Sequence, residues 1–268
     1  MFKFCNDLTH DEYTFYHTFS GCEGLTTLPE NLFSGQSNVM SFLNTFDYCY
    51  GLTTLPENLF KDNINLNSNA FNRTFAYCES LTTIPTGLFK YNTLVSDYGF
   101  AGTFDGCTSL TEIPAGLFDN NTLVSDHGFY YTFYNCTSLT EIPAGLFDNN
   151  TLVSDYGFRH IFYNTNITTI PAGLFDNNIN VGSYGFYYTF GACENLELVP
   201  ELLFKYNTSC TSFKYTFAEC SKLTINPYIF YDEGEKSTRF AGQIVDLSYC
   251  FKLNAGSFIG IQGTAPEL

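Results

Sequence analysis

Ten cysteines are the residues of this chain best equipped for chemistry, and their spacing argues against it. Thiolates hold zinc or exchange disulfides most readily when two lie a few residues apart, and no Cys-x-x-Cys pair occurs. Eight of them (Cys5, Cys22, Cys49, Cys78, Cys107, Cys136, Cys193 and Cys220) instead recur at one repeated slot, Cys250 echoes it near the end, and Thr165 fills it where a thiol is missing. Cys210 stands where other copies carry Val95, Val124, Val153 or Val181. A column of small, buried, reduced thiols accounts for all ten, because side chains that point the same way fit the roughly 90° disulfide torsion poorly.

The other reactive types are equally unpromising. His10, His17, His127 and His160 form no His-Glu-x-x-His pattern, and His127 takes a slot held elsewhere by Tyr98, Tyr156 and Tyr184. No nucleophile elbow or phosphate loop is present. Carboxylates recur as Asp97, Asp126 and Asp155, or as Glu112 and Glu141, and duplication of whole coils explains them. The Asp119-Asn120-Asn121 turns offer oxygen ligands of the kind calcium takes, but the Gly-rich nonapeptide of calcium solenoids is missing. A catalytic centre would have to break the repetition somewhere, and nothing does. The reading is therefore non-enzymatic, with no catalytic residue, no metal and no cofactor.

Those slots exist because the chain is periodic. Cys107 to Asp126 is repeated letter for letter from Cys136 to Asp155. Pro29, Pro56, Pro85, Pro114, Pro143, Pro171, Pro200 and Pro227 mark eight copies of 27–29 residues, each with an aliphatic residue four before the proline. Three phenylalanine columns absorb 24 of the 29 Phe: Phe33 to Phe230, Phe15 to Phe213, and Phe19 to Phe217. Such repetition predicts coils that cannot bury their apolar side alone and must stack. Within one coil, Phe100, Phe104 and Cys107 at i, i+4 and i+7 predict a short helical turn. Leu110-Thr111-Glu112-Ile113, stopped by Pro114, predicts a short strand, and Leu123-Val124-Ser125 a second strand-like piece. The expected fold is thus an α/β repeat solenoid of about eight coils, with a parallel sheet on one face and short helical turns. It forms one domain over 1–268, with a truncated repeat at 1–14 (Phe2, Cys5, Leu8) and a degenerate one at 243–268 (Leu247, Cys250, Leu253).

The pattern from Phe104 to Phe118, F-x-x-C-x-x-L-T-x-I-P-x-G-L-F, resembles the BspA-like leucine-rich repeats of bacterial surface proteins, though the copies here are longer than that family's commonest form. The resemblance covers almost the whole chain. It implies a right-handed curved solenoid, an extracellular or cell-surface location, and adhesion to or recognition of protein or glycan on a host or bacterial surface. A structural scaffold, or the receptor-binding element of a larger assembly such as a phage fibre, is the other reading.

Composition narrows the partners. Eleven Lys and Arg face 27 Asp and Glu, for a formal net charge of −16. Such a surface repels nucleic-acid phosphates and anionic membranes. No apolar run approaches a membrane span, so no membrane insertion is expected. The start, Met1-Phe2-Lys3-Phe4-Cys5, lacks the basic-then-apolar order of a secretory leader, which fits either a cytoplasmic chain or a mature piece of an exported one.

Binding should use positions that the core does not dictate, and two candidates stand out. Thr26, Thr53, Thr82, Thr111, Thr140, Thr168 and Thr224 form a column suited to an exposed strand. The stronger candidate is aromatic: Tyr130, Tyr131, Tyr134, Tyr156, Tyr163, Tyr184, Tyr187 and Tyr188, with Arg159 and His160 between them. Early copies place Asn69, Asn72, Ala101 and Gly102 at the equivalent slots. Tyrosine offers a flat apolar body and a hydroxyl at low entropic cost, which suits sugars and proteins alike.

Overall fold

The computed structural model describes residues 13–224, 228–230 and 245–252. Phe2, Cys5, Leu8, His10, Pro227 and Leu253, and with them most of the two expected terminal repeats, lie outside the described residues. Within them the chain is a stack of coils, bonded residue to residue at separations that match the repeat.

The Phe-x-x-x-Phe-x-x-Cys segment differs from the helical turn its spacing predicts, and the destinations of its N–H groups explain why. Tyr98, Phe100, Gly102, Phe104 and Gly106 donate to the carbonyls of Asp126, Gly128, Tyr130, Thr132 and Tyr134 in the next coil, at 2.6–3.0 Å. The N–H groups between them, of Gly99, Ala101, Thr103, Asp105 and Cys107, close tight turns onto Ser96, Tyr98, Phe100, Gly102 and Phe104 at 3.1–3.2 Å. All ten donors are thereby satisfied. An α-helix would use these groups within its own segment and leave none to join one coil to the next. The alternation requires a left-handed residue at every fourth position: Tyr98, Gly102 and Gly106 (φ 54°, 59° and 71°), then His127, Tyr131 and Asn135 (53°, 58° and 57°). Glycine takes this conformation freely, whereas a tyrosine there costs about 1 kcal/mol or more. No α-helix occurs among the described residues, so the expected helical turns are corrected to a ribbon of turns that carries the main ladder between coils.

The expected sheet shrinks for a related reason. Thr53 donates its N–H to the Thr26 carbonyl at 3.0 Å, and Thr82, Thr111, Thr168, Glu197 and Thr224 donate to the equivalent carbonyl of the coil before, Ser80 and Ser109 adding a bond each to Tyr50 and Glu79. Leu110 turns its N–H back onto Cys107, and Pro114 has none to give. What remains is a line of one or two bonds between coils, with isolated parallel bridges at Thr169–Leu198, Leu198–Thr224 and Ser212–Asp246 and no longer strand among the described residues.

Inside, the three Phe columns stack as the repeat requires. Rings of the Phe33 to Phe204 column repeat at 6.0–6.4 Å. Those of the third column repeat at 5.1–5.8 Å and end on Phe251. Each column's carbonyls then receive a second donor, from a buried polar side chain of the following coil. Thr132 Oγ1 donates to Phe100 at 2.9 Å, Cys136 Sγ to Phe104 at 3.2 Å, and Asn150 Nδ2 to Phe118 at 3.1 Å. The same three columns run as Thr45 to Thr216, Cys49 to Cys220 and Asn63 to Asn207, with Ile161 standing in once for the threonine.

Among the described residues the cysteines are thiols, not disulfides, and all but exposed Cys22 are buried. Burial pushes the thiols of Cys49 and Cys193 up to about 11, so neither is a thiolate at neutral pH. Thr165 fills the thiol slot as the repeat suggests, but its hydroxyl donates to Phe162 O, three residues before it, at 2.9 Å and not to the preceding coil. Cys250 is a correction. Phe217 donates to the Cys250 carbonyl at 2.9 Å, as Phe104 does to Thr132, so Cys250 occupies the threonine slot and Phe251 the phenylalanine beside it.

Candidate functional site

The outer edge of the ribbon carries the aromatic residues, because its left-handed positions project in register from coil to coil. One file is Tyr98, His127, Tyr156 and Tyr184, stacked at 4.3, 4.5 and 5.4 Å. A second is Tyr131, His160, Tyr188, Tyr215 and Tyr249, at 4.5, 5.1, 4.4 and 5.0 Å. Tyr134 stacks on Tyr163 at 5.0 Å beside them. Tyr130 meets Tyr131 edge-on at 4.3 Å, and Tyr187 meets Tyr188 at 4.9 Å, which ties the files together. All ten residues singled out from the sequence therefore lie on one continuous face.

They are not all equally open. Tyr184 is 43% exposed and the other seven tyrosines are half-buried. Arg159 is already enclosed by tyrosines, its guanidinium 4.7 Å from the Tyr187 ring centre, 5.5 Å from Tyr156 and 5.6 Å from Tyr130. Cation–π attraction and stacking satisfy it in place. His160 is buried between Tyr131 and Tyr188, and its Nδ1 accepts the Arg159 Nε–H at 3.3 Å. Arg159 and His160, which the sequence places between the tyrosines, thus both pack against the rings, His160 buried and Arg159 half-buried.

Burial, reinforced by the Arg159 charge, lowers the His160 pKa to about 3 from 6.5. The unfolded chain then binds a proton that the folded chain refuses between these values. Stability present above pH 6.5 is lost as pH falls toward 3. His160→Phe keeps a ring in the stack and removes the titration. From about pH 7 to about pH 4.5 the wild type should lose about 2–3 kcal/mol more than this variant in denaturant melts. Asp105, whose raised pKa acts in the opposite direction, is common to both and cancels. Equal losses would mean that His160 protonates within the folded ribbon.

One coil before the dense part of the face the second file stops, while Tyr98 continues the first. Ala101 and Gly102 stand where later copies carry Tyr130 and Tyr131 or Arg159 and His160, and a pocket of about 470 Å³ opens there. Tyr98, Tyr130, Tyr131 and Tyr134 wall it, with Arg73 and Asp105 in its lining. Arg73 Nη1 donates to Asp105 Oδ2 at 3.0 Å, and its guanidinium lies 5.5 Å from the Tyr77 ring centre. Asp105 is buried, and its Oδ1 has no hydrogen-bond partner. Burial drives its pKa up to about 6 against the opposing pull of Arg73. The sequence holds the signal for this pocket, since Ala101 and Gly102 are small where the next two copies carry Tyr130-Tyr131 and Arg159-His160. Arg73, Asp105 and Tyr98 were missed as site residues because nothing along the chain joins Arg73 to Asp105, 32 residues away.

The other surfaces offer less. The threonine column is exposed, as expected of a strand face. Asn121 is fully buried and spent on the carbonyls of Phe89 and Asn92, which removes it as a calcium ligand. Among the described residues no group of three or more His, Cys, Asp or Glu could hold a metal ion, and no helix is long and apolar enough to cross a membrane.

No family model matches the chain, and no curated protein does. Solved structures similar to it include the leucine-rich repeat domain of APL1B, at 16% identity and a TM-score of 0.32, over 53% of this chain and 40% of that one. A leucine-rich repeat protein of T. pallidum is 18% identical with a TM-score of 0.28, over 87% of this chain and 78% of that one. Another, from Bacteroides ovatus, is 17% identical with a TM-score of 0.18, over 78% and 74%. This chain spans less than half the length of the APL1B chain.

Proposed function

We propose that this chain is a non-catalytic recognition module, a leucine-rich-repeat solenoid of BspA-like type that displays its tyrosine-lined ribbon to a protein partner at a cell surface. The observation that carries this reading is the aromatic face itself, stacked over successive coils and broken by an open pocket at Ala101-Gly102. Core columns alone would not call for aromatic rings on the outer edge, and a left-handed tyrosine costs backbone strain where an asparagine or glycine would cost less. Partly exposed tyrosines beside a charged pair are the composition that protein interfaces favour. Glycan recognition is the second reading, supported by the ring faces of Tyr98 and Tyr184, 37% and 43% exposed, on which a sugar could stack.

The test is a paired array of extracellular proteins and of glycans, probed with the wild type and with Tyr98→Ala. The expected result is protein binding that the variant weakens by roughly tenfold. Capture by glycans alone would favour the second reading. No capture above background on either array would overturn recognition and leave the scaffold or phage-fibre reading.

A further inference from the structure

The molecule contains a worked example of what its tyrosines hold. Arg159 lies among three rings: Tyr156 three residues before it, Tyr187 one coil on, and Tyr130 one coil back. The slot one coil back from Tyr130 is Ala101. Its corresponding neighbours are Tyr98 three residues before, Tyr130 one coil on, and Asn72 one coil back, all three in the pocket lining. Two of the three rings of the Arg159 cage are therefore repeated around Ala101, and the side chain that would fill the cage is a methyl group.

Charge points the same way. Arg73, the cation nearest this pocket, is neutralised by Asp105 at 3.0 Å and lies against Tyr77. Asp105, buried beneath the pocket lining, therefore leaves Arg73 no net charge with which to repel a second cation. Burial first, then the Asp126 carboxylate close by, raises the Tyr98 pKa, so Tyr98 stays neutral with an acidic residue beside it. The chain as a whole carries −16. A neutral sugar would gain from the rings but not from this field; a cation gains from both.

We infer that the Ala101-Gly102 pocket receives the cationic side chain, arginine or lysine, of a basic segment on the protein partner, in the position that Arg159 takes within the chain two coils later. The inference rests on the protein-recognition reading above and specifies its anchor. A planar guanidinium stacks on tyrosine faces better than a compact, strongly hydrated ammonium, so arginine is preferred over lysine.

The probe is acetyl-Gly-Arg-Gly-amide, titrated by NMR into the full chain at about 0.15 M ionic strength, where long-range attraction is largely screened. The citrulline tripeptide, of similar shape but uncharged, is the control. Arginine should perturb Tyr98 and Tyr130 and bind roughly tenfold or more tightly than citrulline. Ala101→Arg fills the slot from within and should abolish binding with the melting temperature held. Tyr98→Ala, at an exposed position, should weaken binding should Ala101→Arg fail to fold. Arg159→Ala empties the second cage and should add a second binding equivalent. Equal binding of the two tripeptides, or binding that survives both Ala101→Arg and Tyr98→Ala, overturns the inference. Saturation of the pocket by methyl α-glucoside but not by the arginine peptide also overturns it. A partner protein found on the array and still bound by Ala101→Arg sinks the cation anchor while leaving the recognition reading intact. An empty array sinks that reading, whatever the tripeptide does.

Discussion

Asn121→Asp should be among the most damaging single-atom changes this chain can suffer, costing several kcal/mol at neutral pH. Asn121 is fully buried, and its Nδ2 donates to the carbonyls of Phe89 at 3.2 Å and Asn92 at 2.9 Å. Its Oδ1 has no partner. A carboxylate in this place loses both donated bonds and sets its charge against two carbonyl oxygens. Its pKa in the folded chain must rise, so the variant's stability is highest below the ordinary carboxylate pKa and is lost as pH rises through the raised value. Denaturant melts between about pH 4 and about pH 8 should show the variant falling away from the wild type as pH increases. Calcium should not rescue it. A variant as stable as the wild type at neutral pH, or one restored by calcium, would mean that the asparagine turns are ligand sites after all and not rungs between coils.

Phe104→Ala should cost about 3–5 kcal/mol, the usual range for emptying a buried phenylalanine site. Its ring is fully buried and repeats the stack at 5.8 Å to Phe75 and 5.7 Å to Phe133, with Phe89 at 6.2 Å. The carbonyl of the same residue accepts from Cys107 N and Cys136 Sγ, so any shift of the backbone also loosens the rung to the next coil. Coils of a solenoid touch only their neighbours, and the loss should therefore be local. Hydrogen exchange should accelerate first at Phe75 and Phe104, whose N–H groups donate to Thr103 and Thr132, while the Phe190 rung changes little. Uniform acceleration along the whole stack would show that the coils unfold as one unit.

Much of this was legible along the chain. The period, the three Phe columns, the thiol slot with Thr165 as its substitute, and Cys210 in a valine slot all follow from one fact: stacked coils place the same position in the same environment, so the environment writes itself into the sequence at each turn. The aromatic face was legible for the complementary reason, as positions where the core does not choose.

What the period cannot show is where each N–H is bonded. The spacing of Phe100, Phe104 and Cys107 fits a helical face as well as it fits a ribbon, because side-chain direction alone does not distinguish bonds made within a segment from bonds made across coils. Only the stacked structure decides it, by offering carbonyls of Gly128 and Thr132 to Phe100 and Phe104. The asparagine column was hidden in the same way: its residues sit in Asn-rich turns that look like solvent, and burial beneath the neighbouring coil is what turns them into rungs. The tertiary structure also decided which part of the aromatic face is open. In sequence Arg159 and His160 simply sit between the tyrosines, yet His160 is buried in the stack and Arg159 lies half-buried against three rings. The opening falls instead at Ala101 and Gly102, because two small side chains leave a gap only once the coils on either side supply its walls.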